Sequence, residues 1–472
     1  MPTNKLPPDA MKAKNKSKNK TDSNTANASD STTEPSCMDD FDPHSMLVDD
    51  ALACIDSSID PITESQTLPL RDALSRILAT PVNAAINVPS YTNSAMDGYA
   101  ILSSDIPATG LKQLTLVATV LAGSPTSITI QPGECARIMT GGKMPDGTDT
   151  VVMQERVQVN NTLITINTEN STGQNVRHAG EDISVGEKVL STGKLLTPAD
   201  LGLLASIGIA NVNVIRKVRV AFLSTGDELK PVGGPLSEGE IYDSNRYTLF
   251  GMLQRFGAEI SDLGVIRDDP QSIRLAIESA AENADVLITS GGVSVGDADY
   301  VKQTLEAIGN VSFWKVAMKP GRPLAYGNIK KGTVKPDNIK SGKIKQGNIK
   351  QDIQKQCLFF GLPGNPVSAM VTFYQFVLPA LNRLSGQQPH KPLLIKLPCI
   401  STLNKSPGRV EYQRGRIEVN DDGNYVVKSV GQQGSGILSS MSKANCFIIL
   451  PLEAGTLPAN TTVTVQPFDG LI

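Results

Sequence analysis

Apolar and polar positions change their period several times along this chain, and each change marks a different kind of structure. Residues 1 to about 40 are rich in Lys, Asn, Ser, Thr and Asp. Ordering them would cost entropy with no hydrophobic return, so a disordered tail is expected. From Ser45 the pattern turns helical: Met46, Leu47, Ala51 and Ile55 fit one helix face, and Leu70, Ala73, Leu74 and Ile77 fit another. Between Val88 and Glu181 short alternating runs punctuated by Gly and Pro, such as L-T-L-V-A-T-V-L-A-G and C-A-R-I-M-T-G-G, predict a compact β module. Ile183 to Val214 returns to the helical layer, with Thr197-Pro198 starting a helix that carries Leu201, Leu204 and Ala205.

From Val218 the order becomes strand, helix, strand, helix. V-R-V-A-F-L is a buried strand, Asp243-Ser244 caps a helix bearing Leu249, Met252, Leu253 and Phe256, and Glu259 to Ile266 is the next strand. Asp269-Pro270 opens a helix with Ile273, Ala276, Ile277 and Ala280 on one face, and Asp285 to Ser290 is a third strand. This alternation predicts a doubly wound, mostly parallel sheet with ligands at the carboxyl ends of its strands. After Asn310, V-S-F-W-K-V-A-M-K read as one strand puts Lys315 and Lys319 on one face, followed by Arg322. Asn-Ile-Lys then recurs at 328, 338 and 348 in a low-complexity stretch up to about 356. Cys357 to Leu362 resumes as a strand, and Asn365-Pro366 opens an apolar helix through Leu381 whose first N–H groups are expected to be free for an anion. Beyond His390 five alternating segments predict a small β-barrel or sandwich, with S-P-G-R (Ser406 to Arg409) and G-I-L-S-S-M-S (Gly436 to Ser442) as turns.

The expected organisation is therefore multidomain α/β: a tail at 1–40, a discontinuous helical or mixed linking domain at 41–88 and 183–215, a β-rich module at 89–182, an α/β domain at 216–388 with an insertion at 328–356, and a C-terminal β domain at 389–472. The length of 472 residues agrees with several domains at roughly 150 residues each. With 44 basic and 47 acidic residues the net charge is −3, which excludes a uniformly basic nucleic-acid surface. Six cysteines lack C-x-x-C spacing, which suits thiols in a reducing compartment. No apolar stretch reaches the roughly 20 residues of a membrane helix, so a cytoplasmic protein is expected.

The candidate chemistry lies in turns. Leu287 to Tyr300 runs L-I-T-S-G-G-V-S-V-G-D-A-D-Y: an apolar run, two glycines, then Asp297 and Asp299. Such a turn brings backbone N–H groups near a phosphate, with the acids placed to hold a cation. T-G-D-E-L with Glu228 and R-D-D-P with Asp268 fall at other strand ends, N-S-A-M-D-G-Y-A displays Asp97, and H-A-G-E-D-I displays Asp182. Taken singly, Asp97 suits a tight turn and the lysines a solvated strand face as well as a site. Acids alone repel phosphate, so a bridging Mg²⁺ and a phosphoanhydride are inferred. No Walker A lysine is present.

Together N-S-A-M-D-G-Y-A, R-I-M-T-G-G, D-T-V-V-M-Q-E, G-E-D-I, S-T-G-D-E-L, S-G-G-V-S-V-G-D-A-D-Y, K-P-G-R-P and G-L-P-G-N-P-V-S-A, from about residue 45 onward, closely resemble the molybdopterin molybdenumtransferase (MoeA) family, which includes the gephyrin E domain. The resemblance implies a molybdopterin-binding-like sheet domain and an enzyme of molybdenum cofactor synthesis. Such an enzyme takes adenylylated molybdopterin and molybdate, hydrolyses the adenylyl link with Mg²⁺ and releases AMP. It implies a homodimer whose cleft joins one subunit's sheet domain to the partner's β module, with Asp97 and Asp182 acting in trans. By motif, Glu228 and Asp299 would hold Mg²⁺ and phosphates, Asp268 and Asp182 would shape the site, and Lys315 and Lys319 would neutralise the pterin phosphate or molybdate. Thr140, Gly291, Gly292, Ser294, Arg322, Ser368, Arg409 and Ser440 would bind substrate, the last three of them molybdate. A molybdopterin adenylyltransferase, which resembles residues 218 to 385, is both the rival reading and a candidate partner. A gephyrin-like scaffold is the other alternative. The tail and the 328–356 insertion depart from the family pattern.

Overall fold

Two faces of one buried sheet organise the chain from residue 219 onward. The computed structural model describes residues 44–291, 300–330, 356–468 and 470, so the expected tail and most of the Asn-Ile-Lys insertion lie outside the described residues. The first helix, α1 (Val48–Ser57), buries Val48, Ala51 and Ile55. The second expected helix is not one. Residues Leu70–Ala73 form a single 3₁₀ turn, because the preceding β1 (Ser65–Pro69) is committed to antiparallel pairing and Ser75 turns the chain at φ 60°.

The β module is a six-stranded sheet of β2 (Gly98–Ile101), β3 (Lys112–Val120), β4 (Glu134–Ile138), β5 (Thr150–Met153), β6 (Gln158–Asn160) and β7 (Leu163–Ile166), in the order β5-β2-β4-β3-β7-β6. Its two faces bury separate clusters, one around Tyr99, Ile101 and Leu114 and one around Ala100, Val120 and Ile138, as alternation along β2 requires. The chain then returns to the linking layer. Helix α2 (Pro198–Ser206) starts at Thr197 with a complete capping box to Asp200, and β8 (Asn211–Ile215) pairs with β1.

The α/β sheet contains β9 (Arg219–Thr225), β10 (Glu259–Ile266), β11 (Val286–Ser290), β12 (Gly309–Lys315), β14 (Pro323–Lys330) and β15 (Gln356–Leu362), in the order β10-β9-β11-β15-β14-β12; between β12 and β14 lies the short β13 (Met318–Lys319). The first four strands are parallel. The last two are antiparallel, because the short link between β12 and β14 is no crossover. Val220, Phe222, Ile288 and Phe360 face α3 (Ser244–Phe256) and the helix after β15. Ala221, Leu223, Leu287 and Phe359 face α4 (Pro270–Asn283) and α5 (Tyr300–Ile308). Asp243 caps α3 and Asp269 caps α4, as their positions in the sequence require. The long helix runs as α6 (Pro366–Thr372), a π turn (Phe373–Val377) and α7 (Leu378–Leu384).

The C-terminal strands β16 (Ile395–Cys399), β17 (Val410–Val419), β18 (Tyr425–Ser429), β19 (Cys446–Leu450) and β20 (Thr461–Pro467) close into a five-stranded barrel, because β17 pairs with both β18 and β19. Gly415 sits where both partners meet. A Cβ there would lie 2.7 Å from Ile448 and 3.0 Å from the Cys446 sulfur, so the bend needs glycine. Between β18 and β19 the expected polar turn is instead a short helix, α8 (Leu438–Lys443), its Ser440 and Met441 turned inward.

Candidate active site

The carboxyl ends of β9 and β10 bring acids together. Gly226 follows β9 at φ 142°, and a Cβ there would lie 2.5 Å from a Glu228 carboxylate oxygen, so the glycine lets Glu228 fold back over the strand end. The Asp268 N–H donates to Asp227 Oδ1 at 3.4 Å. Partial burial first, then the charges of Asp227, Glu228 and Asp269, hold the Asp268 carboxyl above the usual carboxylate range. Asp227 was not among the expected site residues, although it adjoins Glu228 in the same motif. Among the described residues no three His, Cys, Asp or Glu are grouped so as to hold a metal ion. Asp299, Gly292 and Ser294 lie outside the described residues.

Gly291 ends β11 at φ 87° and its N–H donates to the Leu362 carbonyl at 3.1 Å. A second missed residue joins the two glycine turns. Asn245, on the first turn of α3 and nearly buried, donates through Nδ2 to Ser290 Oγ and to the Gly364 carbonyl, both at 2.7 Å. Its Oδ1, Asp243 Oδ2 and Ser224 Oγ are buried with no partner among the described residues. Motif reading could not single out Asn245, because its role depends on two turns distant in sequence.

The cations come from two sheets rather than one strand face. Lys315 ends β12, whereas Lys319 lies on β13, which leaves the sheet and pairs in parallel with β17, setting Lys319 opposite Glu411. The expected shared strand face is thereby replaced by a turn that crosses to the barrel. In that turn Gly321 has φ 100°, and a Cβ would lie 2.4 Å from the Thr372 hydroxyl oxygen, so K-P-G-R-P packs closely on α6. Arg322 is buried beside it. Ser368, in the first turns of α6, is also buried. The helix start is less open than expected, since the Val367 N–H donates to the Ser435 carbonyl at 3.0 Å. Arg409 precedes β17 and is half-buried.

In the β module Asp97 and Thr140 meet. Asp97 Oδ1 accepts from the Thr140 N–H at 2.7 Å and its hydroxyl at 2.8 Å. These two donors, with Arg137 behind them, hold Asp97 below the usual carboxylate range. Asp182 is exposed, anchored through its N–H to the Val88 carbonyl at 3.0 Å. Among the described residues no hydrogen bond or ion pair joins either acid to the strand-end acids.

Three family models match in this order: the MoeA N-terminal region (domain I and II) over residues 46–208, a probable molybdopterin binding domain over 221–383, and the MoeA C-terminal region (domain IV) over 396–468. A molybdopterin molybdenumtransferase of Haemophilus influenzae is 43% identical over 412 residues, covering 87% of this chain and 95% of that protein. The chain belongs to the molybdopterin molybdenumtransferase family. It is thus an enzyme of molybdenum cofactor biosynthesis, a transferase. Gephyrin of Dictyostelium discoideum is 36% identical over 452 residues, covering 88% of this chain and 61% of that protein. The crystal structure of a molybdopterin biosynthesis moeA protein from Pyrococcus horikoshii OT3 superposes with a TM-score of 0.74 at 27% identity, covering 90% of this chain and all of that one.

Within this molybdenumtransferase-family chain Ser440, an expected molybdate ligand, is held by hydrogen bonds within the barrel domain. It is buried, and its hydroxyl donates to the Ile437 carbonyl at 2.7 Å and accepts from Arg414 Nε at 3.0 Å. Arg414 is 1% exposed, and burial pulls its guanidinium down to about 10. It also donates to the Gly434 carbonyl at 2.9 Å, so Ser440 and Arg414 together shape the loop that covers the α6 start. No helix among the described residues is long and apolar enough to cross a membrane.

Proposed function

We propose that the chain inserts molybdenum from molybdate into adenylylated molybdopterin, with Mg²⁺-dependent hydrolysis of the adenylyl link and release of AMP. The observation that carries this reading is the crowding of Asp227, Glu228 and Asp268 beside the Gly291 turn, with Lys319 set against the barrel strand that follows Arg409. The described acids do not by themselves group to hold a metal ion, but they are hard oxygens whose like charges repel, which suits a divalent cation such as Mg²⁺ shared with Asp299. Glu228 with Asp299 would hold it, and the ion would neutralise charge on the phosphate oxygens. Asp268 and Asp182 border the reacting phosphate, the glycine turn at Gly291 accommodates it, and Lys319 and Arg409 bind the oxyanion with Ser368 nearby.

A homodimer with a shared cleft is part of the proposal. What supports it is that Asp97 is already fixed by Thr140, as a carboxylate, while among the described residues no hydrogen bond or ion pair joins it to the strand-end acids. The reaction is placed in the cytoplasm, downstream of an adenylyltransferase that is a natural partner. Purified protein incubated with adenylylated molybdopterin and Mg²⁺ is expected to release AMP only when molybdate is added. Adenylylation of free molybdopterin from ATP would instead establish the adenylyltransferase reading.

A further inference from the structure

One buried carboxylate stands among the cations where sheet and barrel meet. Glu411 is 4% exposed. Its Oε1 accepts from Lys319 Nζ at 3.1 Å, and its Oε2 accepts from Gln413 Nε2 at 2.9 Å. Gln413 in turn donates to the Asn404 carbonyl at 3.0 Å, fixing the segment that carries Lys405. Lys405 is itself buried, and its ammonium donates to the carbonyls of Ser406 (3.1 Å), Leu452 (3.3 Å) and Ala454 (2.8 Å). Three acceptors occupy its three protons, so Lys405 acts on its surroundings through charge alone. It feels the charges of Glu411, Lys319 and Arg409, which makes these four groups one electrostatic set. Glu453, which is exposed, acts on Lys405 in the same sense as Glu411.

We infer that Glu411 is a specificity and positioning residue: a fixed counter-charge that holds Lys319 in place and limits how tightly this junction binds a tetrahedral oxyanion. The Lys319 ammonium is thereby partly neutralised before any anion arrives. The carboxylate repels an incoming dianion and competes with it for the Lys319 ammonium. Both effects lower affinity and keep the anion able to leave. Charge, not shape, is the active property, since a glutamine would keep an oxygen able to accept from Lys319. This inference rests on the reading of Lys319 and Arg409 as oxyanion ligands given under Proposed function.

The test is calorimetric titration of the full-length protein with sodium molybdate at low ionic strength, in wild type, Glu411→Gln and Glu411→Ala. Glu411→Gln is expected to bind about tenfold more tightly, with a steeper loss of affinity as salt rises. Glu411→Ala removes the hold on Lys319 together with the charge, so its gain should be smaller than that of Glu411→Gln but of the same sign, and it decides the matter if the glutamine variant does not fold. Molybdate binding that is equal to wild type or weaker in the folded variants overturns the inference while leaving the oxyanion site standing. Wild-type protein that takes up no molybdate overturns the oxyanion reading and this inference with it.

Discussion

Asn245→Ala probes the link between the two glycine turns. The side chain makes two hydrogen bonds of 2.7 Å, to Ser290 Oγ and the Gly364 carbonyl, in a position 7% exposed to solvent. A buried hydrogen bond contributes about 1 kcal/mol net, so removing both destabilises the fold by about 2 kcal/mol, and more if the Gly364 carbonyl finds no new donor. Urea denaturation of the variant and of Ser290→Ala and the double variant closes a cycle, in which the Asn245–Ser290 coupling is expected at about 1 kcal/mol. The same truncation lets the Gly291 and Gly364 turns separate, so KM for the adenylylated substrate should rise several-fold. Stability within about 0.5 kcal/mol of wild type, with KM unchanged, would refute the reasoning.

Other variants test other joints. Gly321→Ala combines a φ of 100° with a Cβ 2.4 Å from the Thr372 hydroxyl oxygen, so a loss of about 1–3 kcal/mol in chemical denaturation is expected, with weakened substrate binding through the displaced Arg322. Gly415→Ala forces a contact of 2.7 Å with Ile448 at the barrel closure and should lower Tm, with a destabilisation of about 1–3 kcal/mol. Asp268 has a raised pKa, so its ionisation opposes folding as pH climbs from the ordinary carboxylate value through the raised one; below that window both states are protonated and the penalty vanishes. Asp268→Asn should therefore abolish AMP release yet raise Tm slightly at neutral pH and leave it unchanged in acid, as a scan of Tm against pH would show. Thr140→Val removes the hydroxyl donor that helps keep Asp97 ionised, so the acidic limb of the pH–rate profile should move to higher pH.

Much of the architecture could be read from periodicity. The caps Asp243, Asp269 and Thr197, the continuous apolar strands around Phe222 and Ile288, and the five alternating C-terminal segments all express local rules, and the structure follows them. Readings failed where tertiary pairing overrode local pattern. Leu70–Ala73 has helical spacing but is held in a single turn between paired segments, and Met318–Lys319 leaves one sheet to join the barrel. Asp97, Thr140, Glu228 and Asp268 stand in compact motifs and could be singled out as candidates from the sequence. Asn245, Glu411, Lys405 and Arg414 could not, because each acquires its chemistry from partners far away in sequence and from burial, neither of which a local motif encodes.

In the proposed reaction, cleavage of the adenylyl link and insertion of molybdenum occur together at the strand-end acids. The direct measurement is the amount of AMP and of pterin-bound molybdenum formed in the same reaction, with and without molybdate. Equal amounts of the two products are expected, both absent without molybdate and both lost in Asp268→Asn. AMP released without pterin-bound molybdenum, or full turnover by Asp268→Asn, would contradict it.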